Sequence, residues 1–258
     1  MKIGVYCKKD NISFDCLNFL KRECNFEFCN IGDNDIDLIL AIGGDGTILK
    51  CVPYAVKLQI PIISINTGNL GFLTSFSSND LQALVNQLNL ANFTYEERTL
   101  LECELNDNIF YALNEVIVER DNSTKCETNK YSLTIGDTEV HSLKADGYII
   151  STPTGSTAYS LSAGGPIVYP TVEAFIATPV CAHSFKRNSI VYPQTEQAII
   201  TLQDASSAAL VFCDGTLIGK LDNGNSIKIN KSSKTIKIAV TNNFFTILNS
   251  MKLKHKKN

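Results

Sequence analysis

A carboxylate inside a run of glycines is an unusual place for a negative charge, and this chain has one at Gly43-Gly44-Asp45-Gly46-Thr47. Glycines let the backbone turn tightly and let a ligand come close, and the N–H groups that open a helix favour a phosphate. A carboxylate there repels phosphate unless it takes a proton or holds a metal ion, which points to phosphoryl transfer. The same residues also serve a plainer purpose, a strand-to-helix turn with Asp45 as its cap. A second candidate is the stretch from Asp146 to Val168, dense in hydroxyls, small residues and glycines, which suits a polar ligand held at close approach. Before the apolar run Val116-Ile117-Val118 stand Asn114 and Glu115, an amide and a carboxylate suited to recognising a base and a ribose.

Positioning such groups requires a scaffold, and the first third of the chain reads as α/β. Residues 3–6, 38–42 and 60–65 are strand-like apolar runs, while Phe14, Leu17, Leu20 and Cys24 recur at helical spacing. Residues 48–56 continue as a helix interrupted by Pro53, and Ser78-Asn79-Asp80 caps another that runs to about residue 88. Alternating strands and helices predict a parallel, doubly wound sheet with ligand loops at the strand carboxyl ends, here 43–47 and 66–73. From about Thr94 the texture changes to short alternating segments separated by Asn, Asp, Gly and Ser turns, which predicts a mainly β domain. Asn223-Gly224 is expected to close a hairpin, residues 227–229 and 236–240 to be separate strands, and residues 244–253 a final helix. The resulting division is 1–95, 96–235 and 236–258.

Composition narrows the function further. The chain has 258 residues, a formal charge of −3 and 44% hydrophobic residues, so cores can be filled and nothing favours nucleic acid electrostatically. The lysines at 252, 254, 256 and 257 read as a solvated end. Nine cysteines lie scattered without a CxxC pair, as expected of reduced thiols in a cytoplasmic protein. No apolar stretch is long enough to span a bilayer, and no secretory leader is expected.

The order of the three motifs, GGDGT at 43–47, Asn114-Glu115 and the 146–168 stretch, closely resembles the NAD kinase family. Lipid kinases and phosphofructokinases share the Gly-Gly-Asp-Gly core, whereas the run from Thr152 to Tyr159 is specific to NAD kinases. The resemblance spans the chain. It implies an N-terminal Rossmann-like α/β domain with the GGDGT turn, a C-terminal β-sandwich-like domain with NAD in the crevice between them, and a last helix returning to the first domain. It also implies transfer of the γ-phosphoryl of ATP, or of polyphosphate, to the adenosine ribose 2′-hydroxyl of NAD with Mg²⁺ or another divalent cation. Carried over by residue, Asp45 activates the hydroxyl or helps hold the metal, Gly44 and Gly46 admit phosphate, and Lys50 and Lys144 lie near phosphates. Phe72 lies against the adenine, Asn114 and Glu115 bind the adenosine half, and Asp146 reaches the nicotinamide side. Ser156, Thr157, Ala158, Tyr159, Ser160, Leu161, Ser162 and Cys181 line the dinucleotide. A homodimer or homotetramer is implied as well.

Two positions stand apart. Ala182-His183-Ser184 lacks the proline that the family commonly has there, and His183, with no nucleophile–base pair near it in sequence, reads as structural. Asp214-Gly215-Thr216 is either a turn beside the dinucleotide or a plain β-turn. The chain has no GxxxxGK[ST] P-loop, and a GxGxxG reading would place its third glycine at Leu49, so NAD is expected as substrate and not as hydride carrier. A diacylglycerol or lipid kinase would use the GGDGT turn without Asn114-Glu115 or the 152–159 run. A non-catalytic NAD(P) sensor would keep the dinucleotide loops without needing Asp45.

Overall fold

The computed structural model describes residues 1–68, 71–121, 123, 127–184, 187–204 and 208–254. The chain divides into two compact units, Met1–Arg98 with Thr235–Asn258, and Thr99–Lys234.

In the first unit the chain runs β1 (Lys2–Cys7), α1 (Asn11–Glu23), β2 (Glu27–Asn30), β3 (Leu38–Gly43), α2 (Asp45–Leu58), β4 (Ile62–Asn66), β5 (Phe76–Ser77) and α3 (Leu81–Leu90). Strands β2, β1, β3 and β4 lie side by side, all parallel, with Leu40 opposite Ile63 and Gly43 opposite Asn66. Every residue of β3 and β4 is buried, as a parallel sheet covered on both faces requires, which is why both read as mainly apolar runs, with Ser64 and Asn66 as the buried polar residues of β4. Leu38, Leu40, Ile42, Ile63 and Ile65 pack with Leu20 of α1 and Leu84, Val85 and Leu88 of α3. The Asp10 carboxylate caps α1 by accepting from the Ser13 N–H at 2.8 Å. Asp80 stands at the cap position of α3 as expected, but without a side-chain capping bond.

The second unit is reached through β6 (Tyr95–Leu105), followed by β7 (Asn108–Ala112), β8 (Glu115–Arg120), β9 (Asn129–Ile135), β10 (Thr138–Ala145) and β11 (Gly147–Ser151). After a 3-10 turn at Thr154–Thr157 come α4 (Tyr159–Ser162), β12 (Ala174–Val180), β13 (Ile190–Pro193), β14 (Ala198–Asp204), β15 (Ala209–Cys213) and β16 (Thr216–Leu221). Two last elements, β17 (Ser226–Ala239) and α5 (Phe244–Lys254), lead back to the first unit. One antiparallel sheet has the order β13-β12-β11-β8-β15-β16, and β10-β9-β14-β17 is antiparallel as well. Val116, Val118, Tyr148, Ile150 and Val211 of the former share a core with Tyr131, Leu133, Ile200 and Ile227 of the latter, so the unit is a β-sandwich.

Local readings are corrected in two places. Asn223-Gly224 is a turn, with Gly224 at φ +84°, but it closes no hairpin, because β16 pairs with β15 while β17 pairs with β14. Residues 227–229 and 236–240 belong largely to one fourteen-residue strand, β17, which runs across the boundary between the units. The intervening polar run tolerates this because the buried Ser232 hydroxyl accepts from the Lys234 N–H at 3.0 Å. Among the described residues no helix is long and apolar enough to cross a membrane.

Candidate functional site

In the first unit, β3 ends at Gly43 and α2 begins two residues later, with Gly44 as its N-cap and no side chain capping it. Gly43, at φ +157°, has no room for a Cβ, which would run into the Thr47 side chain. Gly44 and Gly46 differ, since a Cβ on either would meet nothing within 4 Å. Their bareness therefore leaves open space beside the first amides of a fourteen-residue helix, where the helix dipole favours an anion.

Asp45 occupies the first turn of α2 but does not cap it. Its carboxylate turns to the loop after β4, accepting from the Phe72 N–H at 2.9 Å and the Leu73 N–H at 3.1 Å. Burial pushes its pKa above the usual carboxylate range, and the two N–H bonds oppose that rise. The two loops expected at neighbouring strand ends thus meet directly at this carboxylate. Gly71 makes the meeting possible, because a Cβ there would collide with the carboxyl group itself. Nothing in the sequence marked Gly71 apart from its place in a glycine-bearing loop. The Phe72 ring packs on Phe244 with centroids 5.7 Å apart, and Lys50 lies exposed further along α2.

In the second unit the residues before β8 are organised by Asp214, which sits at φ +46° in the turn between β15 and β16. Its carboxylate accepts from the N–H groups of Leu113, Asn114 and Glu115 at 2.7, 2.8 and 3.2 Å. Burial raises its pKa to about 6 despite those three bonds. The turn is therefore more than a plain reversal: it clamps the Asn114-Glu115 backbone. Glu115 is pushed up to about 8, first by burial and then by the charge of Asp214, against the Tyr159 backbone N–H that it accepts. One of its oxygens, Oε2, is buried with no hydrogen-bond partner among the described residues.

The 152–162 loop is braced against the same place. Thr152 Oγ1 donates to the Leu113 carbonyl at 2.6 Å and accepts from the Gly155 N–H at 3.0 Å, and a Cβ on Gly155 would strike the Asn114 backbone. Ser156 and Ser160 are fully buried. The Ser156 hydroxyl donates to the Pro153 carbonyl and accepts from the Val168 N–H, and that of Ser160 pairs with Thr178, so both hold the loop's shape. Thr157 and Ala158 are half-buried, while Tyr159, Leu161 and Ser162 are exposed. Tyr159, Ser162, Cys181 and Arg187 line an open cavity of about 750 Å³.

Asp146 lies at the other end of β11 from Glu115, since Gly147 pairs with Glu119 and Ser151 with Glu115. The Arg120 Nε donates to its carboxylate at 2.7 Å, a pairing with no signal in sequence spacing. Lys144 is exposed; its carbonyl accepts from the His183 N–H. His183 is exposed too. Among the described residues no three His, Cys, Asp or Glu side chains gather as a metal cage.

Known proteins resemble the chain in both sequence and fold. Residues 5–92 match the family profile described as ATP-NAD kinase N-terminal domain, and residues 113–241 match ATP-NAD kinase C-terminal domain. The chain is 37% identical over 207 residues to an NAD kinase of Petrotoga mobilis, covering 80% of this chain and 75% of that one. It is 39% identical over 220 residues to an NAD kinase of Thermoanaerobacter sp., covering 82% and 77%. Among solved structures, an NAD kinase from Archaeoglobus fulgidus in complex with ATP superposes with TM-score 0.80 at 28% identity, covering 97% of this chain and 98% of that one. A yeast NADH kinase complexed with NADH shares the fold, with TM-score 0.86 at 23% identity over 100% of this chain and 89% of that one.

Proposed function

Since this chain belongs to the NAD kinase family, we propose that it transfers the γ-phosphoryl group of ATP to the 2′-hydroxyl of the adenosine ribose of NAD, forming NADP. The observation that carries the mechanism is the Asp45 carboxylate, held by two backbone N–H groups at the open start of α2 and raised in basicity by burial. In the reaction, the ribose oxygen bonds to the γ-phosphorus, the bond from that phosphorus to the leaving oxygen of ADP breaks, and Asp45 receives the hydroxyl proton. Gly44 and Gly46 admit the phosphates to the α2 amides, Lys50 stands exposed on the same helix, and the family resemblance gives Lys144 a role toward phosphate. Asn114 and Glu115 bind the adenosine half and Phe72 lies against its adenine. Thr157 to Ser162 and Cys181 line the dinucleotide, with Ser156 and Ser160 bracing that loop, and Asp146 serves its nicotinamide side.

A Mg²⁺ ion fits the donor set. Such ions are usually held by one or two carboxylates together with substrate phosphates, and Asp45 supplies a carboxylate beside space that a phosphate can enter. When bound, the ion neutralises charge on the transferring phosphoryl group. We further read the protein as cytoplasmic, on the strength of the free cysteines among the described residues, and as a homodimer or homotetramer, on the strength of the family resemblance.

The test is a coupled assay of purified protein with NAD, ATP and Mg²⁺, run beside diacylglycerol as acceptor and beside excess chelator. NADP should form only from NAD, and chelation should stop it. Lipid phosphorylation without NADP would overturn the assignment, and full turnover in chelator would remove the metal.

A further inference from the structure

Asp45 depends on a loop that regular structure does not hold. Among the described residues its carboxylate has only the Phe72 and Leu73 N–H groups as hydrogen-bond partners, and residues 71–75 belong to no helix or strand. One anchor of that loop is local: Ser64 of β4 donates to the Leu73 carbonyl at 3.3 Å and accepts from the Ser75 N–H at 2.8 Å. The other anchors come from far along the chain. Ser75 Oγ donates to the Ala239 carbonyl, Thr241 Oγ1 donates to the Ser75 carbonyl, and the Phe244 ring rests on Phe72. Both rings line a space of about 20 Å³, room for one water and no ligand.

We propose that residues 239–244 form a latch that positions Asp45, with Phe244 and Thr241 as positioning residues for phosphoryl transfer. The proposal rests on the kinase reading given above. The latch fixes the carboxylate by fixing the backbone amides that grip it. A displacement near 1 Å at a reacting group costs on the order of 100-fold in rate, so a partial release of the loop is felt in turnover before it is felt in substrate binding.

The test compares Phe244→Ala, Phe244→Tyr and Thr241→Val with the unaltered full chain. Phe244→Ala and Thr241→Val should lower kcat about tenfold. Thr241→Val, which leaves the Phe72–Phe244 contact in place, should keep the KM for NAD within about twofold. Phe244→Ala, which also loosens Phe72, should raise it by less than the fall in kcat, and Phe244→Tyr, which keeps the ring, should restore kcat. Combined with Asp45→Asn, Phe244→Ala should add little to the loss, because both changes act through one carboxylate. Hydrogen exchange at residues 71–75 should quicken about tenfold in Phe244→Ala and in Thr241→Val. Thr241→Val keeps the side-chain shape and serves if Phe244→Ala fails to fold. Unchanged exchange, a KM that rises in step with the fall in kcat, or an effect that multiplies with Asp45→Asn would overturn the latch. A full chain that forms no NADP defeats the kinase reading instead, and the exchange measurement still decides whether 239–244 holds the loop.

Discussion

Asp45 is half-buried and Glu115 buried, and their surroundings set the two carboxyls different tasks. Each Asp45 oxygen accepts from an amide, and Asn keeps one of those two acceptors, so Asp45→Asn should weaken NAD binding by calorimetry only slightly while kcat falls roughly 10²- to 10⁴-fold, the usual worth of a general base. Near-normal turnover would remove it from the chemistry. Glu115 is raised to about 8, so at neutral pH it carries a proton and offers an O–H donor from a buried position. A carboxyl whose folded pKa lies above its unfolded value lends stability that is complete below about pH 4.5 and lost as pH climbs through about 8. Asp214, raised to about 6, adds a decline of the same sign at lower pH. Urea midpoints should therefore fall between pH 6 and 8, and Glu115→Gln should flatten that range while keeping the Asp214 decline below it. An unaltered slope in the variant would mean that Glu115 titrates normally.

Between elements, the contacts that matter join turns far apart in sequence. Gly71 lets the loop after β4 close on the first turn of α2, so Gly71→Ala should push the loop off Asp45 and cut kcat about 100-fold without unfolding the sheet; assay and circular dichroism on the same sample check both halves. A fully active alanine variant would show that the loop yields elsewhere. The strand–turn–helix around GGDGT was legible because glycines, an apolar run and helical spacing sit next to one another. The grip of Phe72 and Leu73 on Asp45, and of Asp214 on residues 113–115, was not, since it joins backbone amides that carry no residue-type signature to carboxylates 27 to 101 positions away. Strand β12 escaped notice because Pro179 lies in its apolar run, and β17 was split because its polar middle, around Ser232, looks like a loop until its hydroxyl is seen satisfied.

The whole molecule is an insertion: residues 99–234 form one unit inside a chain whose first 98 residues and last stretch form the other. Reading along the sequence, texture alone placed the change from α/β to β near Thr94, because hydrophobic period and turn density shift there together. The return of the chain to the first unit falls at Thr235, in the middle of β17, where neither signal changes; the sequence division sets it at 235/236 from the strand read at 236–240 and from the last helix that the family resemblance returns to the first domain. A protein shortened after Lys234 keeps Asp45, Asn114, Glu115 and the 152–162 loop, but lacks everything that ties residue 75 from beyond β6. It should form no NADP, and exchange at 71–75 should be faster than in the full chain, with Ser64 and Asp45 left to hold the loop; an active truncated protein would show the C-terminal part to be dispensable.

That arrangement also orders events in time. A ribosome lays down Asp45 early and residues 239–244 only after the inserted unit, a lag of roughly ten seconds at ordinary elongation rates. Throughout that interval the nascent chain carries the GGDGT turn with its carboxylate lacking the distant contacts. If the latch positions Asp45, the ability to catalyse arrives only once residues 239–244 have been made, and a chain interrupted before them is expected to be inactive.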